Sequence, residues 1–174
     1  GKGYVRLVRD YLLAKDPARA PVILNTGISG NKVPDLEKRW QRDVIDLRPD
    51  VLSIFIGIND VWHGLVPDRE GTSLERYTTG LHDLLKRTRD AFPTIKLVMC
   101  EPSVLWLSEH PEANDLLQPY IAAVRNLARD FAAECVVPLH GAFSNARKQR
   151  EAVAWTTDGV HPTSIGHMLI ARTW

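Results

Sequence analysis

Val51-Leu52-Ser53-Ile54-Phe55-Ile56-Gly57-Ile58 is the stretch on which the fold turns. It is apolar almost throughout and does not alternate with polar residues. That pattern predicts a strand covered on both faces, as in a parallel sheet. Three shorter runs share it: Pro21-Val22-Ile23-Leu24-Asn25, Ile95-Lys96-Leu97-Val98-Met99-Cys100 and Cys135-Val136-Val137-Pro138-Leu139. Between the runs the apolar spacing becomes helical. Val33, Leu36, Trp40, Val44 and Leu47 form one stripe, with Pro34 suited to the first turn. Leu74, Tyr77, Leu81, Leu84 and Leu85 form a second, with Ser73 as a candidate N-cap. Leu116, Tyr120, Val124, Leu127 and Phe131 form a third. Tyr4, Leu7, Val8, Tyr11 and Leu12 predict an opening helix, and Ile165, Leu169 and Ile170 a closing one. The resulting order, α-β-α-β-α-β-α-β-α, predicts an α/β fold with helices on both faces of a mostly parallel sheet.

Bulk properties set the outer bounds. A chain of 174 residues, 44% hydrophobic and 25% charged, suits one globular domain over residues 1–174. Its formal charge of +1 favours neither nucleic acid nor an anionic membrane surface. The basic run Arg147-Lys148-Gln149-Arg150 reads as the solvated face or end of a helix. Cys100 and Cys135 lie in apolar strand-like runs and read as buried free thiols. No apolar run approaches the ~20 residues of a membrane helix, and no signal-peptide pattern is visible, so a cytoplasmic location is expected. The chain opens without Met, directly into helix-like sequence, which leaves open a leader ahead of Gly1.

Ligands of open parallel sheets gather at the carboxyl ends of the strands. Three segments belong there. Asn25-Thr26-Gly27-Ile28-Ser29-Gly30-Asn31 follows the first apolar run. Its glycines and small polar residues either make a plain turn or present free amide N–H groups to a ligand. Gly57-Ile58-Asn59-Asp60 ends the strongest run. Asn59 there is either an Asx turn or a side-chain donor for an oxyanion, and Asp60 reads as a loop brace. Asp158-Gly159-Val160-His161 lies before the last helix. Asp158 either caps that helix or fixes the tautomer of His161, leaving one ring nitrogen to accept a proton. A metal pair is the other option, but neither His140 nor His167 falls into ligand spacing with Asp158.

Taken in order, the three segments resemble the blocks of the SGNH hydrolases, the GDSL-type esterases and lipases. The resemblance covers essentially the whole chain. It implies a flavodoxin-like, three-layer α/β/α fold and ester hydrolysis by a serine mechanism without cofactor or metal. Asn25-Thr26-Gly27-Ile28-Ser29-Gly30 resembles the second block, making Gly30 N–H an oxyanion donor. Gly57-Ile58-Asn59-Asp60 resembles the third, making Asn59 another. Asp158-Gly159-Val160-His161-Pro162 resembles the fifth, making Asp158 and His161 the acid and base. Asn31, Trp62, Glu101 and Trp155 are expected to line a substrate pocket, where the aromatic faces either stack on a sugar or act as plain loop anchors.

One block departs from the pattern. The family's Gly-Asp-Ser, which ends the first strand and carries the nucleophile, has no counterpart here. Gly1-Lys2-Gly3-Tyr4-Val5 resembles the stretch that follows it. The expected nucleophile strand therefore lies upstream of Gly1, and the 174 residues alone are expected to be inactive. Ser29, Ser53, Ser103 and Ser164 are the serines near strands or site loops. The resemblance gives Ser29, in the oxyanion-hole loop, no nucleophilic role. Ser53 reads as buried inside a strand, Ser103 lacks the tight Gly turn, and Ser164 reads as the start of the last helix. The expected partner is a small ester with a short acyl group, such as an acetylated carbohydrate. A competing reading is a pseudoenzyme that binds a sugar or another small molecule.

Overall fold

The computed structural model describes residues 3–174. Helix α1 spans Tyr4–Lys15 and α2 spans Val33–Trp40. Strand β1 (Val51–Phe55) leads through Gly57 into the short helix α3 (Ile58–Trp62). Helix α4 (Leu74–Ala91) precedes β2 (Lys96–Cys100). Helices α5 (Ala113–Leu116) and α6 (Gln118–Asp130) precede β3 (Cys135–Val137). Helices α7 (Leu139–Gln149) and α8 (Ser164–Thr173) complete the chain. The strands form one parallel sheet in the order β1-β2-β3, with Val51 opposite Lys96 and Val98 opposite Cys135.

The side-chain period of two decides the layers. Ile54, Leu97 and Met99 point into a core shared with Val33, Trp40, Tyr77, Leu81, Leu84, Val124 and Leu127, on helices α2, α4 and α6. Phe55, Val98 and Cys100 point the other way, toward Phe143 of α7, Ile170 of α8 and Tyr4 of α1. Both faces of the sheet are thus covered, as the continuous apolar runs predict. Within the first core one polar pair is buried: Trp40 Nε1 donates to Thr88 Oγ1 at 3.0 Å, which satisfies a donor that burial would otherwise penalise.

Four expectations need correction. Residues 21–25 do not form a strand; Val22 is 89% exposed and Leu24 61%. An apolar run becomes a strand only when a neighbour takes up its backbone groups, and among the described residues β1 bonds only to β2. Strand β1 also ends at Phe55, three residues earlier than its apolar run, because the backbone turns at Gly57 (φ +124°). A Cβ at Gly57 would lie 2.7 Å from Pro102 and 3.0 Å from the Tyr77 hydroxyl, so the turn excludes a side chain. The first helical stripe is not one regular helix. After Trp40 it widens into a π-helical turn over Gln41–Ile45, where Asp46 N–H donates to Gln41 O at 2.8 Å. Lastly, Cys100 is buried but Cys135 is exposed at the start of β3. No helix among the described residues is long and apolar enough to cross a membrane.

Candidate active site

Asp158 and His161 sit on a tight loop between α7 and α8. The loop is closed at its base by an antiparallel bridge between Thr156 and Pro162, and by Thr157 N–H donating to His161 O at 2.8 Å. Its apex is Gly159, at φ +84°. Trp106 N–H donates to Gly159 O at 3.0 Å, and a Cβ on Gly159 would come within 2.2 Å of Trp106 O. Only glycine lets this loop press against the segment after β2.

Within the loop, Asp158 Oδ2 lies 2.7 Å from His161 Nδ1. Asp158 Oδ1 accepts from the backbone N–H of Val160 (3.0 Å) and His161 (2.8 Å). Partial burial pushes the carboxyl upward, but the bonds from the His161 backbone and ring and from Val160 outweigh it and hold Asp158 at about 2. The carboxylate can only accept, so the imidazole proton resides on Nδ1 and Nε2 is left as the basic nitrogen. Trp62 meets the same ring edge-on, with centroids 5.5 Å apart.

Asn59 stands on α3, just beyond the carboxyl end of β1. One of its side-chain N–H groups donates to Asn31 O at 3.2 Å, and an amide NH2 has a second N–H to offer. The next residue, Asp60, is 1% exposed. Its Oδ1 accepts from Val33 N–H at 3.1 Å and its backbone O from Thr72 N–H at 2.7 Å. Asp60 thus ties the start of α2, and with it the Gly30-Asn31-Lys32 turn, to the Asn59 helix. Burial pushes the Asp60 carboxyl above its usual range.

Gly30, Asn31, Asn59, Trp62 and His161 line one cleft of about 440 Å³, joined by Ser29, Ser103, His63 and Arg69. A shared apolar anchor brings the distant segments together. Val61, from the Asn59 helix, and Val160, from the Asp158–His161 loop, are buried in one cluster with Leu105, Leu117 and Ile121. Each buried valine contributes roughly 1.5–3 kcal/mol to holding its segment there.

Two expected pocket residues do not join the cleft. Glu101 is 1% exposed and turned into the fold, where Arg125 Nη2 pairs with it at 2.6 Å. Trp155 lines a separate groove between α7 and α8 and donates to Arg150 O at 3.2 Å. No serine among the described residues hydrogen-bonds to the His161 ring. Among them, no three His, Cys, Asp or Glu side chains cluster as metal ligands either.

Arg39 is the supporting residue that pattern reading missed. It ion-pairs with Asp43 and reaches the 25–31 turn with both arms: Nε donates to Asn31 Oδ1 at 3.0 Å and Nη1 to Thr26 O at 2.7 Å. The i,i+4 spacing of Arg39 and Asp43 was a readable signal for the pair. The long reach to Thr26 and Asn31 was not.

The family model for GDSL-like lipases and acylhydrolases matches residues 1–169. An acetylxylan esterase from Geobacillus stearothermophilus is 34% identical over all of this chain and 80% of its own length. The crystal structure of the Geobacillus acetylxylan esterase Axe2 superposes with a TM-score of 0.88, at 33% identity over 99% of this chain and 79% of that one. A candidate GDSL-like lipase from Parabacteroides merdae gives 0.91 at 38% identity, covering 100% and 80%. The chain belongs to the GDSL-like lipase/acylhydrolase family.

Proposed function

We propose that this protein hydrolyses small esters of a carbohydrate, with acetyl as the acyl group, by a Ser-His-Asp mechanism. The observation that carries the reading is the 2.7 Å contact of Asp158 Oδ2 with His161 Nδ1, on a cleft also lined by Gly30 and Asn59. Such a contact orients the imidazole and stabilises the imidazolium that forms as it takes a proton. In the proposed reaction a serine oxygen attacks the ester carbonyl while His161 Nε2 removes the serine proton. His161 then returns that proton to the leaving alcohol. Water, activated by the same nitrogen, adds to the acyl-enzyme and releases the carboxylic acid. Gly30 N–H and the free Asn59 N–H stabilise the oxyanion at each tetrahedral stage.

The serine is assigned to a segment N-terminal to Gly1 that pairs with β1. Supporting this are the one-sided pairing of β1, the exposure of Val51 (49%) at its start, and the exposure of Val22 (89%) and Leu24 (61%) in the unpaired apolar run 21–25. A strand laid along that edge would supply the backbone partners that apolar segments require. The acetylated-carbohydrate substrate is favoured by the acetylxylan esterase relatives and by the Trp62 ring on the cleft wall.

Labelling with a fluorophosphonate tests the mechanism in the intact protein. Covalent labelling that is lost in His161→Ala is expected, and no labelling of the intact protein would favour a sugar-binding pseudoenzyme. Asn59→Ala should lower kcat by about 10²–10³-fold with little change in KM. Unchanged kcat would remove Asn59 from the oxyanion site.

A further inference from the structure

Arg69 lies on the wall of the same cleft as Gly30, Asn59 and His161, exposed at its lip. Its backbone is fixed by Arg69 N–H donating to Val66 O at 3.3 Å, in the turn that follows the 3-10 segment His63–Leu65. Its Nη1 lies 3.3 Å from His63 Nε2. A guanidinium only donates, so His63 Nε2 accepts and the ring is neutral, with its proton on Nδ1. Burial and the neighbouring Arg69 and Lys32 charges lower the His63 pKa, which agrees with that neutral form.

The bond to His63 spends Nη1 and leaves the Nε–Nη2 edge of the guanidinium without a partner among the described residues. Neither adjacent acid, Asp68 or Glu70, forms an ion pair with Arg69. Lys32 adds a second positive charge on this side of the cleft, with its ammonium bound to Glu70 O at 2.6 Å. Asp35 is the opposing charge, and it is engaged by Lys38 at 3.0 Å and by Lys32 N–H at 3.1 Å. The lip therefore presents a permanently charged, planar, two-donor edge, pre-oriented by a histidine. This matches the two oxygens of a carboxylate.

We propose that Arg69 forms an anion subsite that takes a carboxylate on the alcohol half of the ester, so that the protein selects acylated saccharides carrying a uronic-acid unit over neutral ones. The inference rests on the ester-hydrolase reading and names the substrate class of that site. An acetyl group is uncharged, so the anion has to be carried by the alcohol half. His63 acts through Arg69, as a positioning residue that holds the guanidinium in plane.

The test uses the intact protein and two acetylated xylooligosaccharides, one neutral and one bearing a uronic-acid branch. At low ionic strength kcat/KM should favour the acidic substrate by about tenfold, the scale of a charged hydrogen-bonded contact. Arg69→Gln should bring the ratio to about one, and Arg69→Lys should keep only part of it, since an ammonium offers no planar fork. Salt at about 1 M, where screening is nearly complete beyond ~3 Å, should narrow the ratio. Binding of the two deacetylated oligosaccharides, followed by calorimetry, reads the subsite without turnover and should show the same preference and the same loss. Equal handling of the two compounds by the wild type, in turnover or in binding, overturns the subsite. Acid-selective binding without ester cleavage overturns the hydrolase reading and keeps the subsite. Arg69 is exposed, so a fall in the melting temperature of Arg69→Gln large enough to explain the loss would also count against the proposal.

Discussion

Two apolar regions of the chain differ sharply. In the sheet β1 pairs with β2 and β2 with β3, and Leu97 and Met99 are 0% and 1% exposed. Residues 21–31 run without regular structure, although Val22, Ile23 and Leu24 are as apolar as any strand in the chain. Composition is alike in the two regions; the partner is not. This second segment carries Gly30 and Asn31 of the candidate site. Long-range side chains hold it, with Arg39 clasping Thr26 O and Asn31 Oδ1 and Asp60 holding Val33 N–H. The candidate site thus joins the two regions, with Asn59 just after the paired strand and Gly30 in the irregular segment.

The contrast can be broken most directly by truncating one leucine in each region. Leu97→Ala should cost about 3 kcal/mol of unfolding free energy, as expected of a fully buried leucine. Leu24→Ala, at 61% exposure, should change stability by no more than about 0.5 kcal/mol in the protein as described. Denaturant midpoints at constant slope measure both. A Leu24 cost equal to that of Leu97 would mean that residues 21–25 are covered in solution, as they would be beside a paired strand.

A smaller effect should come from Arg39→Ala, which releases the 25–31 turn and leaves the sheet alone. A displaced oxyanion donor is expected to lower kcat by about 10–100-fold, with KM nearly constant. Amide exchange should speed up at residues 25–31 and not in β2. Faster exchange in β2 would instead make Arg39 a general stability residue.

The smallest effect is in pH dependence, where the two carboxylates that frame the site have opposite signs. Asp158 is depressed to about 2, so the folded state binds its proton less readily than the unfolded chain does. Its contribution is present above the ordinary carboxylate range near ~3.9 and fades as pH falls toward 2. Asp60 is raised by burial, so the folded state holds its proton more readily, and stability declines as pH rises from ~3.9 through the raised value. Asp158→Asn should flatten the acid limb of stability against pH, and Asp60→Asn the limb above it. The Asp158 effect is reduced because that side chain is 49% exposed. A flattening of the same limb by both variants would contradict the assignment.

Much of the candidate site was legible because its residues sit in short contiguous segments. Asp158 and His161 are three residues apart, and Gly57-Ile58-Asn59-Asp60 follows directly on the strongest apolar run. Glu101 shows the limit of that reading. It follows β2 as a pocket residue would, yet it turns inward to Arg125, because the direction of a side chain at a strand end depends on what packs beside it. Trp155 illustrates the same limit. It is six residues from His161 in sequence but belongs to the groove between α7 and α8.

By itself the sequence determined the alternation of strands and helices, the burial of both sheet faces and the three segments that line the candidate site. Each of these is a local property of residue type and period. The tertiary structure decided which apolar run became a strand, which polar residues met in the cleft, that Arg69 borders it, and that Arg39 and Asp60 brace the segments lining it. Those outcomes depend on contacts between residues far apart in the chain. Hydrogen-bond partners for a strand, and anchors such as Val61 and Val160 in one buried cluster, exist only once the chain has folded.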